Sequence, residues 1–132
     1  MQAQPSYGDV VAEVTTFLAQ RLAALRAAGA APDRAWVDPG LGFGKTLEHN
    51  LALMRGLESL AGLAPVLVGA SRKSFIGKTL GADLEDRLAG SLACVAMAWQ
   101  RVHMVRVHDV KPTVQLLKML EAIRGARDAP GR

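Results

Sequence analysis

The sequence predicts an α/β fold in which three parallel strands alternate with four helices. Half of the 132 residues are hydrophobic and only 5% are aromatic, a balance that suits parallel strands covered on both faces by helices. The apolar runs typical of strands lie roughly 25 to 40 residues apart, the spacing of right-handed parallel crossovers. A chain of this length forms at most one domain.

The first predicted element is a helix, and a short strand follows it. From Asp9 to Ala28, apolar side chains recur every three or four residues, and Gly29 is a natural helix stop. Ala35–Val37 is a short β-type run that ends at Asp38-Pro39-Gly40, where proline and glycine break regular structure. We expect a strand that leads into a glycine-rich loop.

The middle of the chain predicts a second helix, a buried strand and a third helix. The second helix covers roughly Leu47–Leu60, and Pro65–Ala70 is a continuous apolar run of the kind that buried parallel strands show. The stretch Leu84–Trp99 is apolar on most sides. We therefore expect this third helix to pack on the sheet and on a second surface as well.

The last third of the chain predicts a strand and a helix. Met104–His108 is the third strand. Asp109 then precedes a helix that carries Pro112 in its first turn and ends at Gly125. We expect residues 126–132 to form a flexible tail.

Charge and cysteine content narrow the class of protein. The net charge is +4 and the basic residues are scattered without interleaved aromatics, which argues against nucleic-acid binding and weakly favours an anionic small ligand. The lone Cys94 can form no internal disulfide, so a reducing compartment fits. Met1–Tyr7 lacks a signal-peptide pattern and the apolar runs are too short for a membrane span, so we expect a cytoplasmic protein without membrane contact.

The carboxyl end of each predicted strand leads directly into polar or glycine residues. Because the carboxyl ends of parallel strands meet on one face of the fold, we expect these clusters to surround a single ligand. The three clusters are Asp38–Lys45, Ser71–Ser74 and Arg106–Asp109.

The first cluster looks like a nucleotide-binding P-loop, because it leads into Gly44-Lys45-Thr46. A P-loop needs a glycine five positions before Gly44, so that successive backbone amides curl around phosphates. Pro39 occupies that position. We therefore reject the nucleotide interpretation.

The order and spacing of the three clusters resemble the last three loop motifs of dihydropteroate synthases, and the resemblance extends to about Arg124. Asp86–Ala93 is also similar to the family. Met1–Pro5 resembles a segment that follows the fifth strand in the family, with Ala3 in place of a glycine, so we expect the chain to begin at a normally internal methionine. The motifs are Asp38-Pro39-Gly40-x-Gly42-Phe43-Gly44-Lys45, Gly69-x-Ser71-Arg72-Lys73-Ser74 and Arg106-Val107-His108-Asp109-Val110.

The resemblance implies a (β/α)8 TIM barrel, of which residues 1–125 would supply only the C-terminal part, with three parallel strands and four helices. It implies the folate-pathway reaction in which 6-hydroxymethyl-7,8-dihydropterin diphosphate condenses with p-aminobenzoate to give 7,8-dihydropteroate and diphosphate. It also implies Mg²⁺ with ligands in the missing part of the barrel, a homodimer formed through the C-terminal helices, and a target of sulfonamides. The alternative is a truncated, catalytically incompetent pterin-binding or self-associating module.

Three charged residues are the candidates for pterin recognition. The carboxylate of Asp38 can accept hydrogen bonds from the adjacent N–H and amino groups of the ring, although a turn cap before Pro39 is the alternative. Lys73 would face the pterin carbonyl and ring nitrogen, or is a surface lysine. Arg106 lies between valines in a strand, where its guanidinium can stack on the pterin or form a buried ion pair.

The resemblance assigns Ser71 and His108 to the leaving diphosphate. Loops after the seventh and eighth strands of such barrels often form an anion site beside helix N-termini. Taken alone, His108 would more often be a capping residue. The catalytic candidates are Lys73, Arg106 and His108, and none of them is expected to bind a metal.

The glycine-rich loop would form one wall of the aminobenzoate pocket. Gly42 lets the backbone approach the ring and Phe43 would line the pocket, although core packing is the alternative for Phe43. We expect Arg72 to face solvent or to lie near the mouth of this pocket. Gly69 belongs to the same substrate-binding set.

Overall fold

A computed structural model describes residues 9–125 of the chain. The family-like start and the flexible tail expected from the sequence both lie outside the described residues. The helices are α1 (Val10–Ala27), α2 (Leu47–Arg55), α3 (Leu57–Ala61), α4 (Ser74–Leu80), α5 (Leu88–Ala98) and α6 (Val110–Arg124). The strands are β1 (Leu67–Val68) and β2 (Met104–Val105), and short 3₁₀ segments cover Pro32–Arg34 and Leu84–Asp86.

The two strands pair in parallel, and a third segment joins them. Leu67 of β1 lies opposite Met104 of β2. Val37 forms an isolated parallel bridge to Val66, and its carbonyl accepts a hydrogen bond from the Leu67 amide at 2.9 Å. β1 therefore lies between Val37 and β2. The parallel arrangement and the α/β fold class predicted from the sequence are confirmed.

The strands are shorter than the sequence predicts. Ala35–Val37 contributes one bridge instead of a strand, because Pro39 follows closely and has no amide hydrogen to extend the ladder. The expected strands Pro65–Ala70 and Met104–His108 are reduced to β1 and β2. Beyond β2, the Arg106 amide still bonds to the Val68 carbonyl of β1 at 2.9 Å. The paired backbone therefore extends to the first residue of the third polar cluster.

The predicted second helix, Leu47–Leu60, is divided into α2 and α3. The break lies at Gly56, whose φ of −101° and ψ of 20° depart from helical values. α1 packs closely at this point, since a Cβ on Gly56 would lie 2.9 Å from the methyl groups of Val11. The glycine thus allows the close approach of α1 and interrupts the helix.

A short helix that sequence patterns did not predict follows β1. α4 has seven residues, too few to show a helical period, and Gly77 in its middle lowers the helix propensity. The predicted third helix, Leu84–Trp99, is also shorter than expected. Its first turn is the 3₁₀ segment, because Arg87 leaves helical geometry with a φ of −99° and a ψ of 6°. Within residues 9–125, the four predicted helices therefore become six α-helices.

The hydrophobic core lies between the sheet and the helices around it. Val66 and the leucines of α3 are almost fully buried, and burial of such a side chain stabilises the fold by roughly 1.5–3 kcal/mol. In residues 9–125, no helix is both long and apolar enough to cross a membrane. The core cluster contains Val10, Val14, Val37, Leu41, Leu53, Met54, Leu57, Leu60, Val66, Val68, Ala70, Phe75, Ile76 and Ala98.

Candidate ligand site at the strand ends

The three polar clusters meet at one mouth, as the sequence predicts. Oδ2 of Asp38 lies 3.7 Å from Nη1 of Arg106, which joins the first cluster to the third. Lys73, from the second cluster, is close enough for the charges of both residues to act on its pKa. An acid and two bases from three separate strand ends thus surround one opening.

Asp38 serves both the turn and the site. Its Oδ1 accepts a hydrogen bond from the Gly40 amide at 2.8 Å, which is the local turn contact expected as an alternative. Its Oδ2 is directed to Arg106. The side chain of Asp38 is 39% exposed and that of Arg106 is 59% exposed, so the two form an accessible pair rather than a buried one.

Lys45 and the glycines give the first loop its shape. Nζ of Lys45 donates to the carbonyls of Gly40 and Phe43 at 2.8 and 2.9 Å. Gly40, Gly42 and Gly44 all have positive φ angles, of 72°, 86° and 64°, which disfavour residues with a Cβ. Burial lowers the pKa of Lys45, and the charge of Asp38 opposes this shift.

Asn50, in α2, holds the same loop through side-chain hydrogen bonds. Its side chain is buried, and its Oδ1 accepts a hydrogen bond from the Gly42 amide at 2.8 Å. Its Nδ2 donates to the Thr46 carbonyl at 3.0 Å. Sequence reasoning missed this residue, although an amide at a buried position of a helix is a signal that could have identified it.

Lys73 connects the second loop to the first. Its Nζ donates to the Leu41 carbonyl at 2.7 Å and lies 5.0 Å from the centre of the Phe43 ring. Burial lowers the pKa of Lys73, while the charge of Asp38 raises it and that of Arg106 lowers it further. Phe43 is 60% exposed, so its predicted alternative, packing in the core, is wrong.

Gly69 makes room for Arg106. A Cβ at Gly69 would lie 2.9 Å from Cζ of Arg106 and still closer to Nη2, so any larger residue would displace the guanidinium. The side chain of Arg106 therefore lies across the end of β1, at the edge where the clusters meet. Gly69 contributes space to the site rather than a polar group.

Ser71 and His108 join the second and third clusters. Oγ of Ser71 lies 2.9 Å from Nδ1 of His108 and accepts a hydrogen bond from the His108 amide at 3.2 Å. Ser71 is almost fully buried. The two residues therefore form a bonded pair, and their role at the diphosphate stays a prediction.

Arg72 is exposed, as expected, and its guanidinium contacts Asp109. Nη2 and Nε of Arg72 donate to the two carboxylate oxygens at 2.9 and 3.3 Å. These bonds lower the pKa of Asp109. A contact between Arg72 and aminobenzoate stays a prediction.

Within residues 9–125, no group of three or more His, Cys, Asp or Glu side chains lies together as metal ligands would. Mg²⁺ ligands in another part of the barrel stay a prediction.

The model of the family described as pterin binding enzyme matches residues 1–108. The dihydropteroate synthase of Escherichia coli K12 is 45% identical over 130 residues, which cover 97% of this chain and 46% of the relative. The chain thus spans a little under half the length of that relative.

Solved structures with the same fold carry ligands. The dihydropteroate synthase from Xanthomonas albilineans in complex with 7,8-dihydropteroate is 44% identical and superposes with a TM-score of 0.89, covering 92% of this chain and 47% of that chain. The same enzyme with 4-aminobenzoic acid also gives a TM-score of 0.89 at 44% identity, covering 92% of this chain and 45% of that chain. Because these neighbours are TIM barrels, the chain has the fold of part of such a barrel. This chain belongs to the family of pterin-binding enzymes.

Proposed function

We propose that this chain forms the C-terminal part of a dihydropteroate synthase. This transferase of folate biosynthesis condenses 6-hydroxymethyl-7,8-dihydropterin diphosphate with p-aminobenzoate and releases diphosphate. The observation that carries the proposal is the meeting of Asp38, Lys73 and Arg106 at one mouth. The synthases at 44% and 45% identity add support.

The charged groups suit a flat heterocycle with donors on one edge and acceptors on another. Asp38 accepts hydrogen bonds from the pterin N–H and amino groups. Lys73 donates to the pterin carbonyl and ring nitrogen, because its ammonium has three N–H donors and only one of them bonds the Leu41 carbonyl, at 2.7 Å. The exposed guanidinium of Arg106 stacks on the ring face.

The reaction needs positioning and charge stabilisation rather than a protein nucleophile. The bond between the pterin methylene carbon and the diphosphate oxygen breaks, the arylamine nitrogen bonds to that carbon, and the amine loses a proton. Negative charge grows on the diphosphate as it leaves. Arg106 and the Ser71–His108 pair offer a guanidinium, a hydroxyl and an imidazole to stabilise that charge.

The exposed Phe43 suits the second substrate. Its ring is 60% exposed beside the ammonium of Lys73, so an aromatic amine can pack on it while the ammonium is close by. Gly42 has no side chain that would narrow this space. We expect the exposed Arg72 to face the carboxylate end of p-aminobenzoate.

Two further properties come with this function. We expect the protein to act in the cytoplasm. We also expect it to use Mg²⁺ held by residues outside the described part of the chain, as a counterion for the leaving diphosphate. Loss of turnover on adding a chelator, with recovery on adding Mg²⁺, is the expected result, and chelator-resistant turnover would contradict it.

Product formation tests the proposal. The chain would be coexpressed with the part of the E. coli synthase that it does not match, giving a completed protein, and 7,8-dihydropteroate would be measured by chromatography. We expect product from the completed protein, at least a tenfold loss with Lys73→Ala, and parent-like turnover with Lys78→Ala, an exposed lysine on α4. A folded completed protein that forms no product would contradict the function.

A second candidate function, self-association, has its own support in exposed apolar side chains on the last two helices. Met97 of α5 is 46% exposed, and Met119 and Ile123 of α6 are 60% and 76% exposed. Such a surface favours a homodimer through the C-terminal helices. In sedimentation analysis we expect a dimer that Ile123→Glu converts to a monomer and that Lys118→Glu leaves intact. A monomeric parent would contradict this.

A further inference from the structure

We propose that Arg87 and Ser91, two residues outside the mouth, are positioning residues that clamp the backbone of Arg72 and thereby hold Ser71 and Lys73 in place. The catalytic consequence rests on the proposed function. The clamp itself is a feature of the described fold and is testable without turnover.

Arg72 has a backbone conformation that favours glycine. Its φ is +59°. The Lys73 amide bonds to the Ala70 carbonyl at 3.1 Å, so residues 70–73 form a β-turn. Arg72 is the third residue of this turn. A side chain at this φ crowds the backbone, so Arg72 keeps the conformation only while other contacts hold it.

Three side chains supply such contacts. Oγ of Ser91 in α5 accepts a hydrogen bond from the Arg72 amide at 2.9 Å. Nη1 of Arg87 donates to the Arg72 carbonyl at 3.0 Å. The guanidinium of Arg72 bonds to both carboxylate oxygens of Asp109. The amide, the carbonyl and the side chain of Arg72 are thus all bonded.

The packing around the clamp fixes its members. Nε of Arg87 donates to the Ala82 carbonyl at 3.2 Å, and Gly77 of α4 leaves space for its guanidinium, because a Cβ there would collide with it. Ser91 is only 5% exposed. Asp109 precedes α6, yet its carboxylate bonds to Arg72 and makes no capping bond to that helix, a departure from the usual role of aspartate at this position.

The turn sets the direction of two site residues. Ser71 precedes Arg72 and bonds to His108, and Lys73 follows Arg72 and reaches the Leu41 carbonyl. If Arg72 relaxed to an ordinary backbone conformation, both neighbouring side chains would change direction. Groups that are held in place before the substrate arrives need no reorganisation during the reaction, so the clamp contributes to binding and turnover.

Hydrogen exchange in the full chain tests the clamp directly. Ser91→Ala removes one hydroxyl from the clamp, and the matched control, Thr79→Val, removes a hydroxyl that bonds to the Phe75 carbonyl within α4. We expect the Arg72 amide to exchange roughly tenfold faster in Ser91→Ala and at the parent rate in Thr79→Val. Equal rates in the parent and Ser91→Ala would overturn the clamp.

A double-mutant cycle separates positioning from general stability. Binding of the pterin diphosphate to the completed protein would be measured by calorimetry in four backgrounds. We expect Ser91→Ala to weaken binding about tenfold when Lys73 is present and by clearly less in Lys73→Ala, because part of its effect passes through Lys73 and only the part that passes through Ser71 is left. An effect of equal size in both backgrounds would overturn the positioning role.

A second variant keeps the test decisive if Ser91→Ala does not fold. Arg87→Lys keeps the charge but has a single nitrogen. That nitrogen cannot take the two separate positions from which Nε and Nη1 of Arg87 reach the Ala82 and Arg72 carbonyls. The same two readouts apply to it. A completed parent protein that binds no pterin would contradict the proposed function, while the exchange rate at Arg72 would still decide the clamp.

Discussion

The first and second loops of the site obtain similar left-handed backbone conformations by different means. The Asp38–Lys45 loop places glycines at these positions and is held mainly by side-chain contacts no more than eight positions apart, with one distant contact from Lys73 to the Leu41 carbonyl. The turn at Ser71–Lys73 places an arginine there and is held by contacts 15 to 37 positions apart. The first loop is therefore specified mainly by local sequence, whereas the second depends on the assembled fold.

This difference predicts which substitutions destabilise each loop. The first loop should respond most strongly to changes within Asp38–Lys45 or in the helix that directly follows it. The second loop should be destabilised by substitutions far away in the sequence, such as those that remove its contacts with Arg87 or Ser91. The following substitutions test this contrast.

The largest effect on stability is expected at Asn50. Asn50→Ala removes a buried side-chain amide, so the Gly42 amide loses its partner and the Thr46 carbonyl keeps only its bond from the backbone amide of residue 50. We expect a loss of about 2–3 kcal/mol in the free energy of unfolding, measured by urea denaturation. Glu48→Ala, an exposed change in the same helix, is the control and should cost under about 0.5 kcal/mol. Equal losses would refute local specification of the first loop.

A smaller loss is expected at Gly42. Its φ of 86° disfavours any residue with a Cβ, so Gly42→Ala should lower the free energy of unfolding by about 1–2 kcal/mol. Gly62, with a φ of −73° and only one distant neighbour for an added Cβ, is the matched control. Thermal unfolding should show no loss for Gly62→Ala, and a similar loss for both variants would exclude backbone strain as the cause.

Glycines and charges at strand ends were enough to predict the first loop and the shared mouth. Parallel strands bring their carboxyl ends together whatever their exact length, so Asp38, Lys73 and Arg106 could be grouped although the predicted strands were too long. The roles proposed for these residues stay predictions.

The second loop could not be predicted in the same way. Arg87, just before α5, and Ser91, within it, contact a turn that is 15 and 19 positions away, and no local sequence pattern indicates contacts at such separations. α4 was missed because seven residues with a central glycine show no helical period. Ser91 is buried in an apolar helix, which is the one signal that could have indicated a bonded partner.

Lys73, which bonds the second loop to the first, should make the free energy of unfolding depend on pH. Burial lowers the pKa of Lys73 below 10.5, its ordinary value, so between the two values the unfolded chain binds more protons than the folded chain. The free energy of unfolding should therefore rise with pH through this window and fall as the pH drops through the folded pKa. Denaturation at several pH values below 10.5 should show a smaller rise for Lys73→Met than for the parent. Equal slopes would contradict the burial of this ammonium.

Cys94 lines a small cavity under the second loop together with Ser71 and Ser91, so its reactivity reports on the packing there. Burial raises the pKa of Cys94 to about 11. Near pH 8 we expect alkylation on the order of a hundredfold slower than for a free cysteine, and a normal rate in denaturant. Equal rates in native and denatured protein would show that the space beneath the second loop is open.

The central claim is that the strand ends form one mouth shaped for a pterin. Its most direct test is calorimetric titration of the completed protein with the pterin diphosphate, comparing the parent with Asp38→Asn, which keeps the shape of the side chain and removes its charge. We predict that the Kd rises roughly 10- to 100-fold while the melting temperature stays the same. An unchanged Kd would contradict the claim.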